Sequence, residues 1–215
     1  MKKFKLASRS KKVFIFMIPV ALFVLIAGCN FFSHSFSNLK SAWKGREAVI
    51  QTYDEQSNII DRVEGKSIDI GSEDMFSTTD SEGNTTEKSG VISFTVGGKS
   101  MMHVGSSLIL REKGIVDVFD EYSKTMEFKN QDRSTPFINR MVNSVKNLTT
   151  GQQFLILIRS QTGKPLATFV GNDVSYFPTD VDKSTMFLID GKALFIYRCD
   201  YTVFDLSLLQ KEDME

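Results

Sequence analysis

Two cysteines and two histidines carry most of the soft-ligand and nucleophilic chemistry available to this 215-residue chain: Cys29, Cys199, His34 and His103. Cys29 has the most informative surroundings. It closes the segment Ile26-Ala27-Gly28-Cys29, at the end of the 14-residue uncharged run Val13–Ile26. A sulfur placed there is presented at a membrane surface, and the small residues before it let the backbone enter a narrow protease site.

The residues ahead of Cys29 have the layout of an export signal. Residues 1–12, MKKFKLASRSKK, hold six Lys or Arg and no acid, and the apolar run follows at once. Fourteen residues fall short of the ~20 that a permanent spanning helix needs, and Pro19 suits a transient helix better than a lasting one. The segment 26–29 resembles the lipobox read by prolipoprotein diacylglyceryl transferase and signal peptidase II. That resemblance implies cleavage between Gly28 and Cys29 and a thioether-linked diacylglycerol on Cys29. Two acyl chains on one residue give the durable attachment that a single chain does not.

The other candidates fit structural roles. With Cys29 lipidated, Cys199 and two histidines do not make a zinc site. Cys199 lies in Tyr197-Arg198-Cys199-Asp200-Tyr201. Arg198 could activate the thiol, whereas strand alternation puts it on the face of Phe195 and Tyr197 as a buried cysteine. His103 is expected in a strand or hairpin beside Met101 and Met102, and no serine carries the nucleophile elbow that would recruit it. Asp80-x-Glu82-x-Asn84 and Asp180-x-Asp182 space oxygens at alternate positions but lack the length and closing Glu of a calcium loop; they read as solvated turns. Gly65-Lys66-Ser67 and Gly98-Lys99-Ser100 lack the earlier glycine of a phosphate loop, since Ile60 and Ser93 stand there. Acid pairs for glycoside cleavage remain open, because spacing in space decides them. No cofactor is expected.

The chain has 26 basic and 26 acidic residues. Six of the basic ones leave with the signal, so the remainder carries a net charge of −6. An acidic domain argues against a nucleic-acid partner. It also leaves membrane attachment to the lipid on Cys29.

Four stretches organise the chain: a signal over 1–28, a lipidated cysteine and short tether over 29–45, one β-rich domain over 46–208, and an acidic tail over 209–215, expected to fray. Within the tether, Phe32, Phe36, Leu39 and Trp43 share a helical face. Either that stripe lies in the membrane interface or it packs on the domain's own core. From Arg46 to Phe119 the pattern is β, with Ile92, Phe94 and Val96 alternating against Ser93 and Thr95 and a Gly97-Gly98 hairpin turn. The turns Thr52–Asn58 and Thr78–Asn84 share the pattern T-x-D-x-[QE]-[SG]-N and predict two similar hairpins. One helix is expected over about 136–148, capped by Ser134 or Thr135 and lined by Phe137, Ile138, Met141, Val142, Val145 and Leu148. Phe154–Ile158, apolar without alternation, predicts a strand covered on both faces, with that helix as one cover. Asp190-Gly191 predicts a further tight hairpin. The fold class is α+β, predominantly antiparallel β, with one main helix packed on the sheet.

Several segments resemble an uncharacterised family of Gram-positive surface lipoproteins, domain of unknown function 5052. They are TYDEQSNIIDRVEGKSIDI (52–70), MMHVGSSLI (101–109), STPFINRMVNSVKN (134–147), RSQTGKPLATFVGN (159–172) and LIDGKALFIYRCDYTVFD (188–205). The resemblance brings no catalytic residues. The expected function is a non-enzymatic, membrane-anchored binding protein of the cell envelope, its partner another envelope protein or a wall polymer. The alternative is a carboxylate-based hydrolase acting on wall material.

Overall fold

Consecutive strands pair antiparallel into several sheets, and the central strands are buried on both faces, so each must be covered from two sides. The computed structural model describes residues 43–125 and 135–209. Cys29, Gly28, His34 and the residues Phe32, Phe36 and Leu39 of the tether stripe lie outside them, as does the acidic tail beyond 209. The chain divides into two units, Met1–Asn38 and Leu39–Glu215, and the architecture below is that of the second.

The elements run β1 (Glu47–Tyr53), β2 (Ile59–Lys66), β3 (Ile68–Ser72), β4 (Thr78–Thr79), β5 (Thr85–Glu87), β6 (Ile92–Val96), β7 (Lys99–His103) and β8 (Ser107–Glu112). Among the described residues three α-helices follow: α1 (Val118–Thr125), α2 (Thr135–Ser144) and α3 (Lys146–Thr149). Then come β9 (Phe154–Arg159), β10 (Pro165–Gly171), β11 (Val174–Pro178), β12 (Ser184–Ile189), β13 (Lys192–Tyr197) and β14 (Asp200–Asp205). A six-stranded sheet has the order β11-β12-β13-β8-β1-β2. Two three-stranded sheets, β3-β6-β7 and β10-β9-β14, and the small β4-β5 hairpin complete the set.

Two chain bends let consecutive strands serve different sheets. Ser67, at φ 53°, separates β2 from β3, and Arg198, at φ 51°, lies between β13 and β14. Gly65 in β2 sits so close to the small sheet that a Cβ there would meet Val96 Cγ1 at 2.2 Å.

The core has three parts. Ala48, Ile50, Leu108, Leu110, Phe195 and Tyr197 from one face of the six-stranded sheet pack with Ile68, Ile70, Ile92 and Phe94 of the small sheet. Trp43 is fully buried in this cluster, so the described end of the tether stripe packs on the domain. The opposite face of the six-stranded sheet contributes Tyr53, Ile109, Phe187, Leu194 and Ile196, which pack with Ile156, Ile158 and Phe169 of β9 and β10. The far side of β9, Leu155 and Leu157, meets Val118, Tyr122, Met141 and Val142 of the helices. Phe154–Ile158 is thus a central strand with sheet on one side and helix on the other, as its unbroken apolar run predicts.

The helical part differs from the single element expected over 136–148. That segment is two helices, α2 and α3, interrupted at Val145 (φ −115°, ψ 39°). The Thr149 hydroxyl donates to the Val142 carbonyl at 3.2 Å, satisfying a group the break exposes. Val118–Thr125 is a further helix where the sequence pattern suggested β structure running to Phe119. Asp117 caps it: its Oδ1 accepts from the Phe119 and Asp120 N–H groups at 3.0 and 3.3 Å. Capping adds to the apolar stripe of Val118, Phe119 and Tyr122 in stabilising so short a helix.

Candidate functional site

The site begins with a departure from apolar alternation on the second face of the six-stranded sheet. In β1 that face carries Val49, Gln51 and Tyr53; in β8 it carries Ile109 and Arg111, with Val49 opposite Arg111 and Gln51 opposite Ile109. Gln51 and Tyr53 are buried. Where the apolar core of this face gives out, a cavity of about 250 Å³ opens, lined by Gln51, Tyr53, Ser57, Arg111, Asp117 and Asp120 among others.

The chain after β8 folds back to make one wall. Gly114, at φ 93°, turns it, and Arg111 Nη1 donates to the Ile115 carbonyl at 3.0 Å. Asp117 then caps α1 and accepts a third hydrogen bond, from the Thr168 N–H of β10 at 3.0 Å. All three donors go to Oδ1, so Oδ2 is left free of them. Burial pushes the Asp117 carboxyl up to about 6, against the pull of those N–H donors and of Arg111. Burial likewise raises the Tyr53 hydroxyl above its ordinary range, and the Asp117 charge adds to that.

The charges of this cavity fall into two kinds. Arg62 is paired with Glu64 at 2.6 Å and Asp120 with Lys124 at 3.1 Å, all four side chains well exposed. Arg111 and Asp117 share the cavity, and among the described residues neither makes an ion pair, with the other or elsewhere. The Ser57 hydroxyl oxygen is buried and without a hydrogen-bond partner. Ser57 owes its place to the β1–β2 turn, where it sits at φ 74°.

Among the described residues, none of the catalytic or metal candidates read from sequence lines this cavity, although Tyr53 and Ser57 belong to the first of the two similar turns. His103 Nε2 lies 2.9 Å from the Ser106 carbonyl oxygen, and its ring meets Tyr197 edge-on with centroids 5.9 Å apart. Cys199 is not on the face of Phe195 and Tyr197. The left-handed Arg198 turns the strand over, and Cys199 packs into the opposite core, against the second face. Its Sγ donates to the Tyr197 and Leu108 carbonyls at 3.3 and 3.7 Å, and burial pushes the thiol up to about 12, which silences it as a nucleophile.

Asp80 behaves as a turn residue. Its Oδ1 accepts from the N–H groups of Glu82 and Asn84, and its Oδ2 from Asn84 Nδ2. Asp54 repeats the arrangement with Gln56 and Asn58. These donors hold both carboxyls below the usual range. Asp182 lies 3.9 Å from Lys183. Lys66 is bonded to Glu47 at 2.6 Å.

The residues that do form the cavity had a sequence signal of their own. Gln51 and Arg111 directly follow the apolar runs Ala48-Val49-Ile50 and Leu108-Ile109-Leu110, and Asp117 stands one residue before Val118-Phe119 in a capping position. The family described as Domain of unknown function (DUF5052) matches residues 11–209. No curated protein and no solved structure matches the chain.

Proposed function

We propose, for a chain that belongs to the family described as domain of unknown function 5052, a non-enzymatic binding protein of the cell envelope. In this reading Cys29 carries a lipid after cleavage at Gly28, and the domain works on the extracytoplasmic face of a Gram-positive membrane. Its partner is a wall polymer or another envelope protein. One observation supports binding above all: the polar cavity at Arg111 and Asp117, set beside the apolar core of the second sheet face. Polar groups converging in a hollow of a rigid scaffold are the usual form of a recognition site.

Asp117 also supports a second reading. Its raised carboxyl shares the cavity with Asp120, the kind of acid pair a wall hydrolase would use. Two features favour binding. The Asp117 Oδ1 holds three backbone donors whose geometry a proton cycle would disturb, and Asp120 is tied to Lys124 in solvent.

The test uses the full-length protein in detergent with purified wall fragments. Retention of fragments without release of soluble products is expected. Steady release of cleaved glycan, lost in Asp117→Asn or Asp120→Asn, would overturn the binding reading in favour of hydrolysis. The anchor is tested apart from this: Cys29→Ala is expected to abolish acyl labelling and release the protein from cells, and undiminished labelling would sink it.

A further inference from the structure

We propose that the cavity at Arg111 and Asp117 takes a small zwitterion, a molecule carrying a carboxylate and an ammonium as close together as in a free amino acid. The inference rests on the binding reading above and names the ligand class of the same site.

Size sets the first limit. A space of about 250 Å³ lies at or below the low end of ordinary small-molecule sites, which suits a group of amino-acid size, free or at the end of a longer molecule.

Charge sets the second. Arg111 and Asp117 are opposite in sign and face one cavity, yet they form no ion pair with each other. Arg111 spends Nη1 on the Ile115 carbonyl, which leaves the remaining N–H groups of its fork for a carboxylate. Asp117 spends only Oδ1 on the backbone, so Oδ2 is left for an ammonium. Both charges are partly buried and neither has an ion-pair partner, although three N–H donors and the pull of Arg111 already favour the Asp117 carboxylate. A ligand with both charges gives each group a close partner, whereas an anion alone would add repulsion at Asp117.

The third observation is independent of charge. The Ser57 oxygen at the same cavity is buried and unpartnered, and a hydrogen-bonding ligand would satisfy it.

Calorimetry on the full-length protein in detergent tests this with glycine and both enantiomers of alanine as zwitterions, and acetate and ethylamine as single-charge probes. Binding of at least one zwitterion is expected, with acetate and ethylamine at least tenfold weaker. Asp117→Asn keeps an oxygen for the helix cap while removing the charge, and Arg111→Gln keeps a donor. Each is expected to weaken the zwitterion tenfold or more, and circular dichroism will show whether each variant keeps its fold. Acetate binding as tightly as the zwitterion would overturn the proposal. So would full affinity in a folded Asp117→Asn, or no heat with any probe at millimolar concentration. Failure here with wall fragments still retained uncleaved would sink the zwitterion and spare the binding reading; glycan release would sink the reading itself.

Discussion

The two faces of the six-stranded sheet are built from the same strands and diverge at one end. On the first, Ile50, Leu110, Phe195 and Met186 lie side by side across four strands, every one buried. On the second, Ile109 and Ile196 continue the apolar row, but Gln51 and Arg111 interrupt it. Both faces obey the same alternation, so the polar residues on the second are inward-facing by position and not by accident of a frayed end. The largest effect that follows is on the closed face. Phe195→Ala is expected to lower unfolding stability by about 3–5 kcal/mol, through lost transfer energy and an unfilled cavity. Denaturant unfolding measures it, and a loss under about 1 kcal/mol would mean this face is less tightly packed than its burial indicates.

Asp117 on the open face comes next. Asp117→Ala removes the acceptor for three N–H groups, two in the first turn of α1 and one in β10. A loss of about 1–3 kcal/mol is expected. Asp117→Asn is expected to lose less, since its Oδ1 can still accept. The charge itself has a pH signature. The native carboxyl titrates near 6, above its ordinary 3.8, so the folded state binds the proton more tightly than the unfolded chain does. The stability from this group is therefore fully present below about pH 3.8 and is lost as the pH rises through 6. Wild type minus Asp117→Asn stability, followed from pH 4 to pH 7, is expected to fall; a flat or rising difference would contradict the burial of this charge.

Arg111 separates packing from recognition. If the polar end of the second face were merely a poorer core, Arg111→Met would cost as much as a truncated core residue. It is expected instead to cost no more than about 1 kcal/mol, the worth of the hydrogen bond to the Ile115 carbonyl, because Arg111 makes no ion pair and Met keeps an apolar chain of similar length. Zwitterion affinity should vanish in the same variant. A loss of several kcal/mol would make Arg111 a structural residue first.

Much of the scaffold was legible because its signals are local. Asp190-Gly191 takes positive φ at both positions, 49° and 77°, as a two-residue hairpin demands, and Gly97-Gly98 does the same at 55° and 81°. The unbroken apolar run of β9 marked a strand with two covers. The helix α1 does carry a periodic signal, Val118, Phe119 and Tyr122 at i, i+1 and i+4, all packed in one core cluster, but one short stripe is easily read as the end of the β pattern before it. The Asp117 cap is the local feature that marks where the helix starts. Cys199 was misplaced because alternation assumes an unbroken strand, and Arg198 breaks it with a left-handed residue. The cavity itself is non-local. Gln51, Arg111 and Asp117 come from β1, β8 and the loop before α1, and only the sheet order and the fold-back at Gly114 bring them to one place.

The smallest effect tests how much a shared local signal decides. Asp54 and Asp80 build the same turn with the same bonds, and both turns close with a positive-φ residue, Ser57 at 74° and Gly83 at 85°. Their surroundings differ. The Asp80 turn joins β4 and β5, whose residues are exposed, so opening it releases little packing. The Asp54 turn joins β1 to β2 and carries Ser57 to the cavity. Asp80→Ala is therefore expected to shift global stability by no more than about 0.5 kcal/mol, as surface changes do. Asp54→Ala is expected to lose about 1 kcal/mol and, with Ser57 no longer held in place, to weaken zwitterion binding severalfold. Hydrogen exchange at Asn58 and Asn84 would show whether both turns loosen alike. Equal loosening with unequal effects on binding would locate the difference in what the turn carries; equal effects on binding would remove Ser57 from the site.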